Sequence, residues 1–468
     1  MTELNIAFNY FESAKNLDPA NIQTLYQANL IENLYSRILE YDSQGQLSCV
    51  LCNKFWIEDN YLYFEIKKGI KTKSGYELTS SDAQSSLKRL FDLNTNTHGN
   101  LLNFISSKND IQIENDILKI KLIKAHYSQF FLPLIASMDF SIIPIISIDQ
   151  NNTIIDHENT SGAYYVAKDN SEGNLILSAN INHPLYSDKM SHNVNLIPTE
   201  AKDIVDHFIE EKYDVIDISN YPRYNTYEKL FKQTKKEYNS IKTIPINLFL
   251  LAVSPKAQKA FSNEQIFYAL KTIEDKYLNF KTYGYGFEQS NEFIPKNGNG
   301  HLSIEQSKYI EQLRNNKIKP MFKTPISLGV MKNSYKKVAI AFKDHPEIQI
   351  LSFDEDPSFL SVLKRPDIII QTTDSSFNED VSLLSYNFSM EYFGLTKEEG
   401  SRWIQEYINI EEKTERIKKL QEFHFNLLRK AIIYPIGASP YWAVSSKNLE
   451  LNSPTLFPGS HWWKFRKK

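Results

Sequence analysis

The fold is decided within residues 34–87, which contain Leu34-Tyr35-Ser36-Arg37-Ile38-Leu39-Glu40-Tyr41-Asp42, then Trp56, then Tyr63-Phe64-Glu65-Ile66-Lys67-Lys68-Gly69, then Gly75, and finally Leu78-Thr79-Ser80-Ser81-Asp82-Ala83. The spacing of Leu30, Leu34 and Ile38 suits the buried face of a helix. Residues 56–66 alternate around Asp59-Asn60, the pattern of a β-hairpin. Gly69 and Gly75 bracket a tight basic loop, and Thr79 or Ser80 can cap a helix expected over 79–91.

Taken in this order, the pieces resemble the family 5 extracellular solute-binding proteins of ABC importers, the oligopeptide-, dipeptide- and nickel-binding group. Residues 62–75 stand where that family has "tyxFxlrkGvkfxdG", and residues 78–89 where it has "lTAxDvxxSlxR". Further matches are Leu17-Asp18-Pro19 for its "LDP" and Thr160-Ser161-Gly162-Ala163-Tyr164 for part of its "GTGPY". Residues 182–186, 213–216 and 261–275 also align with it, as do 431–436, 441–444 and 462–464 at the C-terminus. The match is poorest over 278–348. The resemblance implies an α/β, two-lobed periplasmic-binding-protein fold of the class II, cluster C type with an extra inserted subdomain. On this basis lobe I takes residues 1–38, 155–245 and 430–468, the inserted subdomain of lobe I takes 39–154, and lobe II takes 246–429.

Composition is compatible with that expectation. The chain has 468 residues, 23% charged and 41% hydrophobic, enough for two or three lobes. A formal charge of -3 argues against a nucleic-acid surface. No apolar run approaches the roughly 20 residues of a membrane span. The start, Met1-Thr2-Glu3-Leu4, has no charged n-region or apolar h-region and leads into a strand expected over 4–8. The expectation is a periplasmic or extracellular-surface protein whose signal peptide has been removed; the alternative is a domain not exported in this form. Cys49 and Cys52 form a C-x-x-C without a second ligand pair. They read as packed small residues or a structural disulfide, against a redox or metal role.

A fold of this kind closes two lobes on a ligand by hinge bending and needs no catalytic residues. The sequence carries no G-x-S-x-G, P-loop, G-x-G-x-x-G, H-E-x-x-H or zinc-like spacing, so neither an enzyme, a cofactor nor a metal is expected. Charged runs at 232–237 and 411–419 read as solvated helix faces. Asp374 ends an apolar strand expected over 367–374. In peptide-binding relatives the resemblance implies an acid here that holds the peptide's α-ammonium; the other reading is a helix N-cap or loop acid. The family's Trp in this stretch is Gln371 here, and the Tyr after its acid is Ser375. An aromatic wall is therefore missing. The remaining candidate ligand-binding residues are Gln371 itself, Tyr10, Phe11, Glu12 and Ser13 after the first strand, and Tyr441 and Trp442 after the strand that returns to lobe I.

The implied function is capture of a small solute, a short peptide foremost, and its delivery to an ABC permease, by a monomer. One alternative is a ligand-sensing domain of the same fold coupled to regulation or signalling. Another is a cytoplasmic enzyme on a related scaffold, for which the sequence offers no cluster of titratable residues.

Overall fold

The computed structural model describes residues 3–8, 16–22, 25–42, 46–93, 104–169, 175–199, 203–217, 230, 237–242, 247–280, 286–294, 298–315, 318–373, 380–451 and 461–467. β1 (Glu3–Phe8) buries Leu4 and Ile6, and α1 (Leu25–Leu34) buries Leu30 and Leu34; Ile38, expected on the same helical face, is buried too but lies beyond the end of the helix, just before the next strand. The short pair β2 (Leu39–Tyr41) and β3 (Leu47–Cys49) precedes the hairpin of β4 (Cys52–Glu58) and β5 (Tyr61–Ile66). That hairpin turns at Asp59, which has φ 52°, a left-handed conformation that Asp tolerates. In α2 (Ser80–Leu93), Thr79 Oγ1 accepts from the Ser81 N–H while the Asp82 carboxylate accepts from the Thr79 N–H, a reciprocal cap. β6 (Ile111–Glu114), β7 (Ile117–Lys121) and α3 (Ser128–Ile135) follow, and β4-β5-β7-β6 form one sheet.

Next come β8 (Tyr164–Asp169), β9 (Leu175–Ala179), β10 (Asn193–Pro198), α4 (Ile204–Ile209), β11 (Val215–Asp217) and β12 (Tyr238–Lys242). The second lobe begins at β13 (Asn247–Val253) and continues with α5 (Pro255–Ala260), α6 (Asn263–Phe280), β14 (Glu288–Gln289), α7 (Ile304–Arg314), β15 (Ile326–Met331) and α8 (Lys332–Ala341). It is completed by β16 (Ile348–Phe353), β17 (Ile368–Thr373), α9 (Asp380–Ser389), α10 (Lys397–Ile408), α11 (Lys413–Arg429) and β18 (Ile433–Ser439). β19 (Trp442–Ser446), β20 (Leu449–Glu450) and β21 (Arg466–Lys467) end the chain.

Two sheets organise the lobes. The first has seven strands in the order β12-β19-β11-β1-β10-β9-β8, and the second has six in the order β14-β18-β13-β17-β15-β16. In the second, Phe249, Leu251, Val253 and Leu328 pack with Ile266, Ala269, Leu270 and Ile273, the one apolar face of α6. Leu248, Leu250, Ala252 and Ile369 pack on the other side with Phe388, Tyr407, Leu420 and Leu427, and this cluster continues into Phe130 and Phe131 of the inserted subdomain. The sequence expectation returned the chain to lobe I from residue 430. β18 corrects that boundary: it pairs with β13 inside the second sheet, so the return falls at Pro440-Tyr441.

The motifs that decide the fold turn out to form the joint between lobe I and its insertion. The Gly162 N–H donates to the Leu34 carbonyl at 2.8 Å, and a Cβ there would lie 2.6 Å from the carbonyl oxygens of both Asn33 and Leu34. Ser161 Oγ donates to the Ile142 carbonyl and accepts from the Ser36 N–H at 3.0 Å. Asp82 Oδ1 accepts from the Ile145 N–H at 2.9 Å. Arg89, buried, clamps both carboxylate oxygens of Asp18 and donates through Nε to the Asn152 carbonyl at 2.8 Å. The C-terminal segment is fastened to α1 in the same manner. His461 Nε2 and Arg37 Nη2 both donate to Glu32 Oε1, at 2.6 and 2.8 Å, and the Trp462 N–H donates to Asn33 Oδ1 at 3.0 Å. Burial alone would raise the Glu32 carboxyl pKa, but His461 and Arg37 hold it well below the usual carboxylate range. Cys49 and Cys52 are joined in a disulfide between β3 and β4.

Candidate functional site

In the first sheet β1, β10 and β11 run parallel, with Phe8 opposite Pro198, so their carboxyl ends share one edge. β19 is antiparallel to β11 and starts at that edge, with Trp442 opposite Lys242 of β12. In the second sheet β15, β16 and β17 are parallel and end at Met331, Phe353 and Thr373. β13 starts at this edge, Leu248 facing Thr373, and β18 ends there, Ser439 facing Asn247. The chain passes between these two edges twice, from β12 to β13 and, through Pro440-Tyr441, from β18 to β19. The carboxyl ends of both parallel sets therefore meet at the boundary of the lobes, the place where open α/β sheets receive ligands.

Tyr10, Phe11, Glu12 and Ser13, which follow β1, and Asp374, which follows β17, lie outside the described residues. Tyr441 and Trp442 are half-buried and stand at the second crossing. A Cβ on Gly286 of lobe II would lie 3.4 Å from Trp442 Nε1, so the indole lies against lobe II. Gln371 is placed differently. It pairs with Leu250, is buried on the sheet face that carries Ile369, and donates its amide to the Thr372 carbonyl at 2.7 Å. The structure thus places Tyr441 and Trp442 at the second crossing and sets Gln371 back in the sheet.

Two residues at this boundary went unmarked in the sequence. Met331 is 39% exposed at the end of β15, next to the exposed Lys332–Asp354 ion pair of 2.9 Å. Ser439 is fully buried at the end of β18, and its Oγ has no hydrogen-bond partner among the described residues. The signal for Ser439 was the small residue directly before Pro440, where a strand leaves one sheet for another.

Ser36 Oγ and His183 Nε2 lie 3.3 Å apart, which superficially suggests a nucleophile and its base. His183 Nδ1, however, accepts from the Leu185 N–H at 3.2 Å, so the proton sits on Nε2 and points at the serine. Burial holds this imidazole neutral, its pKa lowered to about 4. His424 is similarly engaged: Nε2 accepts from the Phe293 N–H at 3.0 Å and Nδ1 donates to the Gly300 carbonyl at 3.1 Å. Among the described residues no three His, Cys, Asp or Glu side chains gather as a metal ion would require, and no helix is long and apolar enough to cross a membrane.

No protein-family model and no curated protein matches the chain. Solved structures do. The chain is similar to the dipeptide-binding protein of Pseudoalteromonas sp. SM9913 in complex with Met-Leu, with 13% identity, 100% of both chains covered and a TM-score of 0.78. It is similar to the Escherichia coli murein tripeptide binding protein MppA, with 16% identity over 99% of this chain and 98% of that one, at a TM-score of 0.74. NikA from Brucella suis in complex with Fe(III)-EDTA gives 14% identity, 100% of both chains and 0.75. Full-length likeness to all three, together with two sheets joined by paired crossings, shows that this chain has the two-lobed periplasmic-binding-protein fold.

Proposed function

We propose that the protein is a solute-binding protein that captures a small ligand, a short peptide foremost, by hinge closure and hands it to an ABC permease. The observation that carries this reading is the pair of adjacent crossings, β12 to β13 and β18 to β19, which places the carboxyl ends of two parallel strand sets across one boundary. Peptide-binding proteins that share the fold over their full length support the ligand class. The Cys49–Cys52 disulfide supports a periplasmic or extracellular-surface location, since such bonds persist in oxidising compartments. The protein works as a monomer, without catalysis and without a cofactor. Lobe I comprises residues 1–38, 155–242 and 442–468, its insertion 39–154, and lobe II 247–439.

In this reading Asp374 anchors the peptide's ammonium group, and Tyr441 and Trp442 line the hinge side of the cleft. Native mass spectrometry of the purified protein is expected to show a retained peptide. Replacing Asp374 by Ala then weakens binding of that peptide by about 3 kcal/mol, the cost of leaving a buried charge unpaired. Calorimetry that finds equal affinity for both proteins removes Asp374 from the site. A retained ligand that is not a peptide overturns the ligand class.

A further inference from the structure

The lobes also touch away from their crossing strands. Lys124 Nζ and Tyr127 Oη both donate to Asn409 Oδ1, at 2.7 and 2.8 Å. His126 Nε2 donates to the Ile408 carbonyl at 3.0 Å. Arg416 Nη2 donates to Gln129 Oε1 at 2.5 Å, and its guanidinium lies 5.0 Å from the centre of the Phe130 ring. Phe130 in turn meets Tyr407, with ring centroids 6.3 Å apart. Arg416 is 4% exposed, and its Nη1 is held by the carbonyls of Ile410 and Glu411 at 2.6 and 2.7 Å. The charge is therefore positioned from its own side, and the inserted subdomain completes its solvation.

The contact is made by residues that belong to none of the crossing strands. The crossings leave lobe I from β12 and β19, at one edge of the seven-stranded sheet, whereas the insertion returns through Gly162 into β8, the opposite edge. The insertion is tied to lobe I by Arg89–Asp18 and by Gly162 against Leu34, while α10 and α11 are packed within lobe II. Rotation about the crossings therefore moves the insertion, carried with lobe I, relative to α10 and α11.

We propose that the inserted subdomain is a clasp, formed only in the closed state, that sets how often the empty protein is closed. This rests on the hinge-closure reading above. A contact present in one of two states biases their equilibrium whether or not ligand is bound. The clasp lowers the ligand affinity needed for full closure, and it does so without touching the ligand.

The test uses the full chain, stripped of ligand in guanidinium and refolded. Spin labels on Lys68→Cys and Lys343→Cys, both exposed, report the distance between insertion and lobe II. The clasp variant is Gln129→Ala with Asn409→Ala, two exposed positions. Loss of three side-chain hydrogen bonds is expected to lower the empty protein's closed-to-open ratio roughly tenfold. The concentration of a casein digest of di- to pentapeptides at half-closure rises by a similar factor. An empty-state distance distribution identical in variant and wild type overturns the clasp, whereas digest-driven closure of both proteins leaves hinge closure standing. If the digest leaves the wild-type distance unmoved, hinge closure and clasp fall together.

Discussion

Gly162→Ala isolates a purely steric demand at the joint between lobe I and its insertion. The backbone at Gly162 is outside the left-handed region, so alanine is conformationally acceptable there. Its Cβ, however, would sit 2.6 Å from the carbonyl oxygens of Asn33 and Leu34, atoms of the last turn of α1 that cannot rotate aside. Relief requires moving that turn by several tenths of an ångström or more, which also stretches the 2.8 Å bond from the Gly162 N–H to the Leu34 carbonyl. Overpacking costs about 1–3 kcal/mol and the weakened hydrogen bond about 1, so a loss of about 2–4 kcal/mol is expected. Gly69→Ala is the matched control. Gly69 has φ +80° and nothing within 4 Å of an added Cβ, leaving conformational strain alone, about 1 kcal/mol. Urea midpoints by circular dichroism compare the two. If Gly162→Ala is no more damaging than Gly69→Ala, the close approach to α1 is not holding the joint.

Acid should weaken the fold through its buried imidazoles. Burial lowers the pKa of both His183 and His424 to about 4, against 6.5 unfolded, so the unfolded chain binds more protons between these values. Stability is expected to be complete above pH 6.5 and to fall towards pH 4, by roughly 3 kcal/mol for each histidine. A urea midpoint that stays level or rises on acidification contradicts this. Cys49→Ser with Cys52→Ser should lower stability by about 2 kcal/mol, the chain-entropy value for so short a loop. Dithiothreitol should reproduce that loss in the wild type and leave the double variant's thermal melt unchanged.

Sequence reading worked where structure is local. The hairpin around Asp59-Asn60 and the cap at Thr79 depend on neighbours within a few residues, and each appears as its pattern predicts. Family motifs extended this reach because Asp18, Arg89, Gly162 and Leu34 contact one another, although no periodicity reveals it. Arg416 shows where legibility ended. Residues 411–419 read as a solvated charged face, yet Arg416 is buried, because its partner Gln129 lies 287 positions away in the sequence. Charge patterning cannot identify which of several cations will meet such a partner. The return boundary was misplaced for a related reason. β18 is apolar enough for either sheet, and only its pairing with β13 assigns it. The residues proposed to choose the ligand follow β1 and β17, past the ends of the regular strands, where no hydrophobic period constrains the chain.

The position of β19 between β12 and β11 has a consequence for biosynthesis. Lobe II is one uninterrupted segment, from β13 to β18, and can fold as soon as it has left the ribosome or the translocation pore. Lobe I cannot. Until Trp442–Ser446 emerges, β12 has no strand to pair with and β11 has an open side, and α1 still lacks the His461 and Trp462 contacts that fasten it. The first residues made therefore wait for the last. A truncation just before residue 442 should leave lobe II intact and expose the unpaired edge of β11, the state in which this chain is most open to chaperones and proteases.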